Sequence, residues 1–312
     1  AAESQLKVMP YKLKGYLERK KQVENKQALY NILQEKREQT AIARAANVAN
    51  SQIVEKAYVS FKPIKPNRRS IQLMAILVGL AIPALFVFVS EMLNDKVSTR
   101  YDVEKVTAAP ILGEIGHSYA DSIMLVNKTN RSMVAEQFRI IRSNLQYVVG
   151  KTEKFALLIT SSFSGEGKSF ISTNVGGVMA LAGRKTIILE FDIRKPKLIY
   201  GLNMPKGPGI TNFLIGKAEL KDLVKPVPGQ ENLYVLPCGP IPPNPSELLL
   251  DEKVDQLFDL LKKEFDVVVI DTAPVGMVSD AQTLSKYADA TLYIVRQGHT
   301  FKKQITLIEE FY

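Results

Sequence analysis

An apolar run, Phe155-Ala-Leu-Leu-Ile-Thr160, leads directly into Ser161-Ser-Phe-Ser-Gly-Glu-Gly-Lys-Ser169, and a segment of helical character follows from Phe170 to Ala182. A buried strand that ends in a glycine-rich turn and opens a helix leaves few folds to choose from. Such a turn aims successive backbone N–H groups at one spot, where the helix N-terminus adds positive potential. That spot suits phosphate. The expected contacts run over Ser164, Gly165, Glu166, Gly167, Lys168, Ser169 and Phe170. Lys168 would reach the outer phosphates of a nucleotide as a point charge, and the Ser169 hydroxyl would complete the shell of a Mg²⁺ ion. The strict pattern, G-x-x-x-x-G-K-[ST], asks for Gly at position 162, and the chain has Ser162. Support must therefore come from other strand ends.

Two acidic strand ends supply it. Thr186-Ile-Ile-Leu-Glu-Phe-Asp-Ile-Arg-Lys-Pro196 carries Asp192 where its apolar run stops, and Phe265-Asp-Val-Val-Val-Ile-Asp-Thr-Ala-Pro274 carries Asp271. In an open parallel sheet, ligands bind at the carboxyl ends of the strands, so Asp192 and Asp271 are expected to meet the Mg²⁺ and phosphates at the loop. A strand-ending or helix-capping Asp is a common coincidence. Three strand ends with the right groups in the right order are not. The expected catalytic residues are Lys168, Asp192 and Asp271, the expected metal ligands Ser169, Asp192 and Asp271, and the ligands ATP and Mg²⁺.

Further runs at Leu233 to Leu236 and Ala290 to Val295 alternate with helical segments. The whole predicts an α/β fold, a doubly wound, mostly parallel sheet with a phosphate loop (P-loop). Between Leu236 and Leu249 lies a proline-rich loop in which Asn244 is placed to cap, and Pro245 to start, a helix. With a single cysteine, Cys238, and two histidines, His117 and His299, the chain has neither a disulfide framework nor a cysteine or histidine metal site. Each histidine reads most simply as a solvated loop residue.

Charge divides the chain. Residues 1–69 hold 15 Lys and Arg against 6 Asp and Glu, while the rest holds 26 of each, so the net +9 lies in the first 69 residues. The neutral remainder argues against nonspecific nucleic-acid binding. Residues 1–60 are polar and favour helix. Tyr16, Val23 and Tyr30 recur at intervals of seven beside Leu13, Leu17, Leu29 and Leu33, which suits either an amphipathic helix resting on a neighbour or a coiled-coil arm. The chain opens without an initiator or signal sequence and is expected to be a fragment. A proline-containing connector follows over residues 61–70.

No charge occurs between Arg69 and Glu91, a window of 21 residues. At about 1.5 Å per residue a helix over residues 71–90 spans a hydrocarbon core of about 30 Å. Pro83 is expected to kink it. Orientation presents a conflict. Lys62, Lys65, Arg68 and Arg69 precede the span, which on the positive-inside rule puts the N-terminal side in the cytoplasm. A nucleotide site needs cytoplasmic ATP, which puts the C-terminal side there, and the nucleotide is followed. Residues 91–130 read as a linker, and residues 131–312 as the nucleotide-binding domain, C-terminally incomplete. Within it Glu136, Arg139 and Arg142 lie three apart on a helical segment, where Glu136 and Arg139 can pair.

Taken together these residues resemble the bacterial tyrosine autokinases fused to polysaccharide co-polymerases, the Wzc-type proteins. The motifs that carry the likeness are Leu29-Tyr30, Ile42-Ala-Arg-Ala-Ala46, the connector and span, Glu136/Arg139/Arg142, Gly165-Glu-Gly-Lys-Ser169, Phe191-Asp-Ile-Arg-Lys-Pro196, Pro242-Pro-Asn-Pro-Ser-Glu-Leu248 and Val269-Ile-Asp-Thr-Ala-Pro274. The resemblance implies a kinase of the bacterial inner (plasma) membrane, with residues 1–70 a periplasmic arm and 91–312 cytoplasmic. It implies a ring-shaped homo-oligomer, an octamer, joined through Glu136, Arg139 and Arg142, with phosphorylation of tyrosines on a neighbouring subunit. It also implies control of capsular or exopolysaccharide chain length and export, alongside an outer-membrane export protein, a polysaccharide polymerase and a tyrosine phosphatase. Two departures stand out. Glu190 occupies the place of the first Asp in the family's Asp-x-Asp pair, and no tyrosine cluster precedes Tyr312.

Two other readings remain open on the residues. A membrane-anchored ATPase of the septum- and plasmid-positioning kind (MinD/ParA-like) shares the sheet and its acidic ends. Those ATPases usually carry a Lys early in the loop, where this chain has Phe163. A mainly structural scaffold, with nucleotide controlling ring assembly, is the other.

Overall fold

The computed structural model describes residues 2–46, 55, 56, 58, 65–120, 122–150 and 152–310. Positions 61–64 of the expected connector, and Tyr312, lie outside the described residues. The chain divides into two units, residues 1–84 and 85–312.

In the first unit, helix α1 spans Ala2–Ala46. Its stripe of Leu13, Tyr16, Leu17, Val23, Leu29, Tyr30 and Leu33 is exposed. Helix α2 spans Arg68–Met92, runs through Pro83, and has its residues up to Ala84 in the first unit and the rest in the second. It is long and apolar enough to cross a membrane, with a mean hydropathy of 2.6 over its most apolar window and no buried residue.

In the second unit the short helix α3 (Arg100–Glu104) interrupts the expected linker, and α4 spans Met133–Val149. Strand β1 (Phe155–Ser161), helix α5 (Lys168–Leu181) and strand β2 (Thr186–Phe191) follow. Short helices α6 (Leu198–Gly201), α7 (Ile210–Leu214) and α8 (Leu220–Leu223) lead to β3 (Lys225–Pro226) and β4 (Leu233–Leu236). Then come α9 (Pro245–Leu248), α10 (Glu252–Glu264), β5 (Val267–Thr272), α11 (Asp280–Ser285), β6 (Ala290–Ile294) and a 3-10 helix, Lys302–Glu310.

The sheet order is β3-β4-β2-β5-β1-β6. Every pairing is parallel except that of β3 with β4. The two-residue β3, with a proline at its edge, was not among the expected strands. A strand this short has no period to read, and proline is confined to edges in any case.

Both faces of the central strands are covered, which is why they read as continuous apolar runs rather than alternating ones. Ala156, Leu158, Leu189 and Ile270 pack with Leu257, Phe258 and Leu261 of α10. Leu157, Ile159, Ile188 and Val269 face the other way, onto Val175 and Val178 of α5 and Phe138 and Ile141 of α4. Burying each such aliphatic side chain stabilises the fold by about 1.5–3 kcal/mol. Close packing of α5 on β2 requires Gly176, because a Cβ there would meet Ile188 at 2.8 Å. Asn244 precedes α9 but makes no cap: its amide instead donates to Glu247 Oε2 at 2.8 Å.

Candidate nucleotide and metal site

The topology sets the carboxyl end of β5 beside those of β1 and β2. Asp271 is the register partner of Ile159 on one side and of Glu190 on the other. Three loops therefore converge where β1 hands over to α5. Gly167 sits just before α5 with φ +102°, in the left-handed region that glycine occupies without strain.

Lys168 is buried, and its Nζ donates to Ser161 Oγ at 3.1 Å and to the Phe163 carbonyl at 3.3 Å. Burial lowers its pKa, opposed by the charges of Asp271, Asp192 and Glu166. Asp271 is buried, and its Oδ1 accepts from the Ser172 hydroxyl at 2.9 Å. Desolvation pushes its carboxyl up to about 7, against the Ser169 and Ser172 hydroxyls and Lys168. Among the described residues its other oxygen, Oδ2, is buried with no hydrogen-bond partner. Asp192 is half-buried, and its Oδ1 accepts from the Lys195 amide at 3.1 Å. Burial raises its pKa, opposed by the Lys195 and Arg194 amides and by Lys168 and Lys197.

An orphaned carboxylate oxygen with a serine hydroxyl next to it is a donor set for a hard divalent cation. Among the described residues no three acidic, histidine or cysteine side chains converge on one point. That scarcity of protein ligands fits Mg²⁺, which keeps waters and takes phosphate oxygens in place of an all-protein cage.

Other expected site residues divide by role. Ser164 and Gly165 are exposed at the tip of the loop. Glu166 is buried and turned inward: Oε2 accepts the Phe163 amide at 2.7 Å and Oε1 the Thr300 hydroxyl. The Phe170 ring packs edge-on against Phe138 at 5.8 Å, so its side chain serves the contact between α4 and α5. Ser162, where the strict pattern has glycine, uses its hydroxyl on Tyr293 at 2.9 Å. Glu190 has both oxygens committed, Oε1 to the Leu198 amide at 2.6 Å and Oε2 to the Cys238 amide at 3.1 Å.

Away from this cluster, Glu136 and Arg139 form an ion pair on α4, and Arg139 also donates to the Asn130 carbonyl at 3.1 Å. Arg142 is half-buried and, among the described residues, its side chain makes no hydrogen bond or ion pair.

Several site residues were missed. Ser172 lies one helical turn past Lys168 and was legible from that spacing. Arg194 grips the buried Asp280 at 2.9 and 3.2 Å and donates to Ser246 Oγ at 2.7 Å, joining the loops after β2, β4 and β5. No spacing in the chain announces that contact. The histidines also differ: His299 is exposed, yet its Nε2 lies 3.3 Å from the Ser164 carbonyl oxygen.

A family model described as "G-rich domain on putative tyrosine kinase" (GNVR) matches residues 14–92. The tyrosine-protein kinase ptk of Acinetobacter johnsonii is 28% identical over 97% of the chain, which spans 43% of that relative's length. The tyrosine-protein kinase YwqD of Bacillus subtilis is 33% identical over 58% of the chain and 76% of its own length. Among solved structures, the chimerical protein CapA2B2 superimposes with a TM-score of 0.63 at 36% identity, covering 68% of this chain and 92% of its own.

Proposed function

The chain belongs to the family of bacterial tyrosine-protein kinases, and on that premise we propose that it binds ATP with Mg²⁺ and transfers the γ-phosphoryl group to tyrosine hydroxyls of a neighbouring subunit. The observation that carries this reading is the buried Asp271 at the end of β5, whose Oδ2 has no hydrogen-bond partner among the described residues, beside a phosphate loop whose Lys168 feels its charge.

Catalysis of this transfer is positioning plus charge neutralisation. The loop amides from Ser164 to Phe170 hold phosphate, and Lys168 leaves its contacts with Ser161 and Phe163 to neutralise it. Ser169, Asp192 and Asp271 are the residues that would hold Mg²⁺, which supplies charge neutralisation on the phosphates. The raised pKa of Asp192 suits a carboxylate that takes the acceptor hydroxyl's proton. Glu190 has no part in this chemistry, since the Leu198 and Cys238 amides occupy its oxygens.

Family membership supports a wider reading. The protein is anchored in the inner membrane by α2, with residues 1–70 periplasmic and 91–312 cytoplasmic. It assembles as a ring through Glu136, Arg139 and Arg142. It sets polysaccharide chain length and export together with an export protein, a polymerase and a phosphatase. In the test, Lys168→Met abolishes phosphotyrosine while the protein stays folded. Phosphotyrosine persisting in that variant excludes the assignment, and steady ATP hydrolysis without protein phosphorylation replaces the kinase by an ATPase.

A further inference from the structure

The stripe on α1 extends well past Tyr30. Positions 12, 16, 19, 23, 26, 30, 33, 37, 40 and 44 follow one another at alternating steps of four and three, so they form one seam along the helix. One row of the seam holds Tyr16, Val23, Tyr30, Arg37 and Arg44, and the other Lys12, Arg19, Lys26, Leu33 and Thr40. All are exposed. Among the described residues the five cationic side chains of the seam make no hydrogen bond or ion pair. Lys20 and Lys36 flank it. Every acid between residues 12 and 44, namely Glu18, Glu24, Glu35 and Glu38, lies outside the seam and the positions flanking it.

This seam does not close on a second copy of itself. A parallel pair sets each seam residue against its own counterpart, so five cations would meet like charges, and an antiparallel pair finds no acid on the seam either. A coiled coil with a different helix fits poorly too. Six of the ten seam positions are polar, so few apolar knobs are left to fill holes while five cations lose their water. A membrane surface does not suit it, because an interfacial helix separates its apolar side from its charged one, and here aromatic and basic residues share a side.

We infer that the seam is a binding surface for an extended polyanion built of rings with apolar faces, an acidic polysaccharide. Tyr16 and Tyr30 offer flat exposed rings on which a sugar can lie, and the basic side chains between them supply partners for its carboxylates. A step of seven residues advances about 10.5 Å along the helix, which spaces Lys12, Arg19 and Lys26 evenly. Evenly spaced cations match a polymer that carries one acid per short repeat. Such a ligand lies on a wet surface, so the cations keep most of the water that a partner helix would strip from them. The net +9 of the chain lies in residues 1–69, and the surroundings of the seam therefore add to the attraction. The inference rests on the reading above, in which α1 is periplasmic and the protein acts in polysaccharide export, and it gives that reading a contact surface.

In the test, the full chain in detergent is titrated with a fluorescent oligogalacturonate, and neutral dextran and single-stranded DNA of similar length are the other arms. The oligogalacturonate should bind, and more weakly as salt rises. Lys26→Glu, on the seam, should weaken binding about tenfold, while Lys21→Glu, the same charge change on the opposite side of the helix, should cost less than about twofold. Tyr30→Ala should weaken it about fivefold, and Tyr30→Phe should keep the wild-type affinity. Lys21, Lys26 and Tyr30 are all exposed, so none of these changes removes a packed side chain. A wild-type chain that does not bind the oligogalacturonate overturns the inference, as do equal losses in the two Glu variants or wild-type affinity in Tyr30→Ala. Dextran bound as tightly removes the role of charge, and DNA bound as tightly makes the seam a general polyanion site; either result overturns the assignment. Topology is read separately. A Lys21→Cys chain in spheroplasts should react with a membrane-impermeant maleimide, the native Cys238 being buried. No labelling removes the periplasmic placement of α1, a result on which the binding titration does not depend.

Discussion

Glu190 and Asp271 are register partners on β2 and β5, yet their carboxylates face opposite demands. Glu190 satisfies both oxygens on the Leu198 and Cys238 amides, while Asp271 spends one on Ser172 and leaves Oδ2 without a partner. A carboxylate with both oxygens bonded to buried backbone amides is structural. One with a buried acceptor left over is held ready for a ligand.

The two should therefore fail differently. Glu190→Gln replaces one acceptor by a donor and orphans a buried amide, a loss of about 1–3 kcal/mol. Urea unfolding should register that loss, and the folded fraction should keep its nucleotide affinity. Asp271→Asn should leave stability equal or higher and abolish phosphotyrosine formation.

The pH dependence of the ligand-free protein follows from the same Asp271. Its folded pKa, about 7, stands above the ordinary aspartate value of 3.8. The folded state therefore binds this proton more tightly than the unfolded one. The contribution is fully present below the unfolded pKa and is lost as pH rises from about 4 through 7. Chemical denaturation of the wild type between pH 5 and 8 should show this decline, and Asp271→Asn should flatten it. A wild-type profile no steeper than that of the variant counts against the burial of this carboxylate.

How much of this was legible in the chain depends on where the signal lives. The strands β1, β2 and β5 announced themselves as apolar runs because both faces are buried, and Lys168, Ser169, Asp192 and Asp271 lie at positions that strand ends and spacing define. The Thr300 contact with Glu166 joins residues 134 apart, and the Arg194 contact with Asp280 joins residues 86 apart. Both depend on which loops the sheet order brings together, and nothing local encodes that. Glu190 makes the same point from the other side. It stands where the family's Asp-x-Asp pair has its first Asp, and only the tertiary position of the Leu198 and Cys238 amides shows what its oxygens do.

Arg194 offers a test of one such long-range contact. Its guanidinium grips Asp280, whose side chain is 1% exposed, from a position itself about a third exposed. Arg194→Lys loses the two-point geometry and leaves part of a buried carboxylate unpaired. We expect a loss of about 1–3 kcal/mol in stability. Since Asp192 precedes Arg194 by two positions on the same loop, kcat should fall further than nucleotide affinity. A lysine variant with unchanged kcat would show that the clamp only holds the fold.

Arg142 separates a subunit contact from a solvated helix face more cleanly than its neighbours do. Arg139 pairs with Glu136 and donates to the Asn130 carbonyl, so replacing it disturbs the chain's own structure. Arg142 makes no such bond among the described residues, and Arg142→Ala should change stability by no more than about 0.5 kcal/mol. If Arg142 docks on the next subunit, the variant loses a charge-assisted contact of about 1.5–3 kcal/mol, and a closed ring repeats that loss at every interface. Light scattering in detergent should then show smaller assemblies. Binding of ATP should persist through the intact loop, and phosphorylation should fall because the acceptor tyrosine lies on another chain. An Arg142→Ala protein that keeps its assembly and its phosphotyrosine would place the arginine on an ordinary helix face.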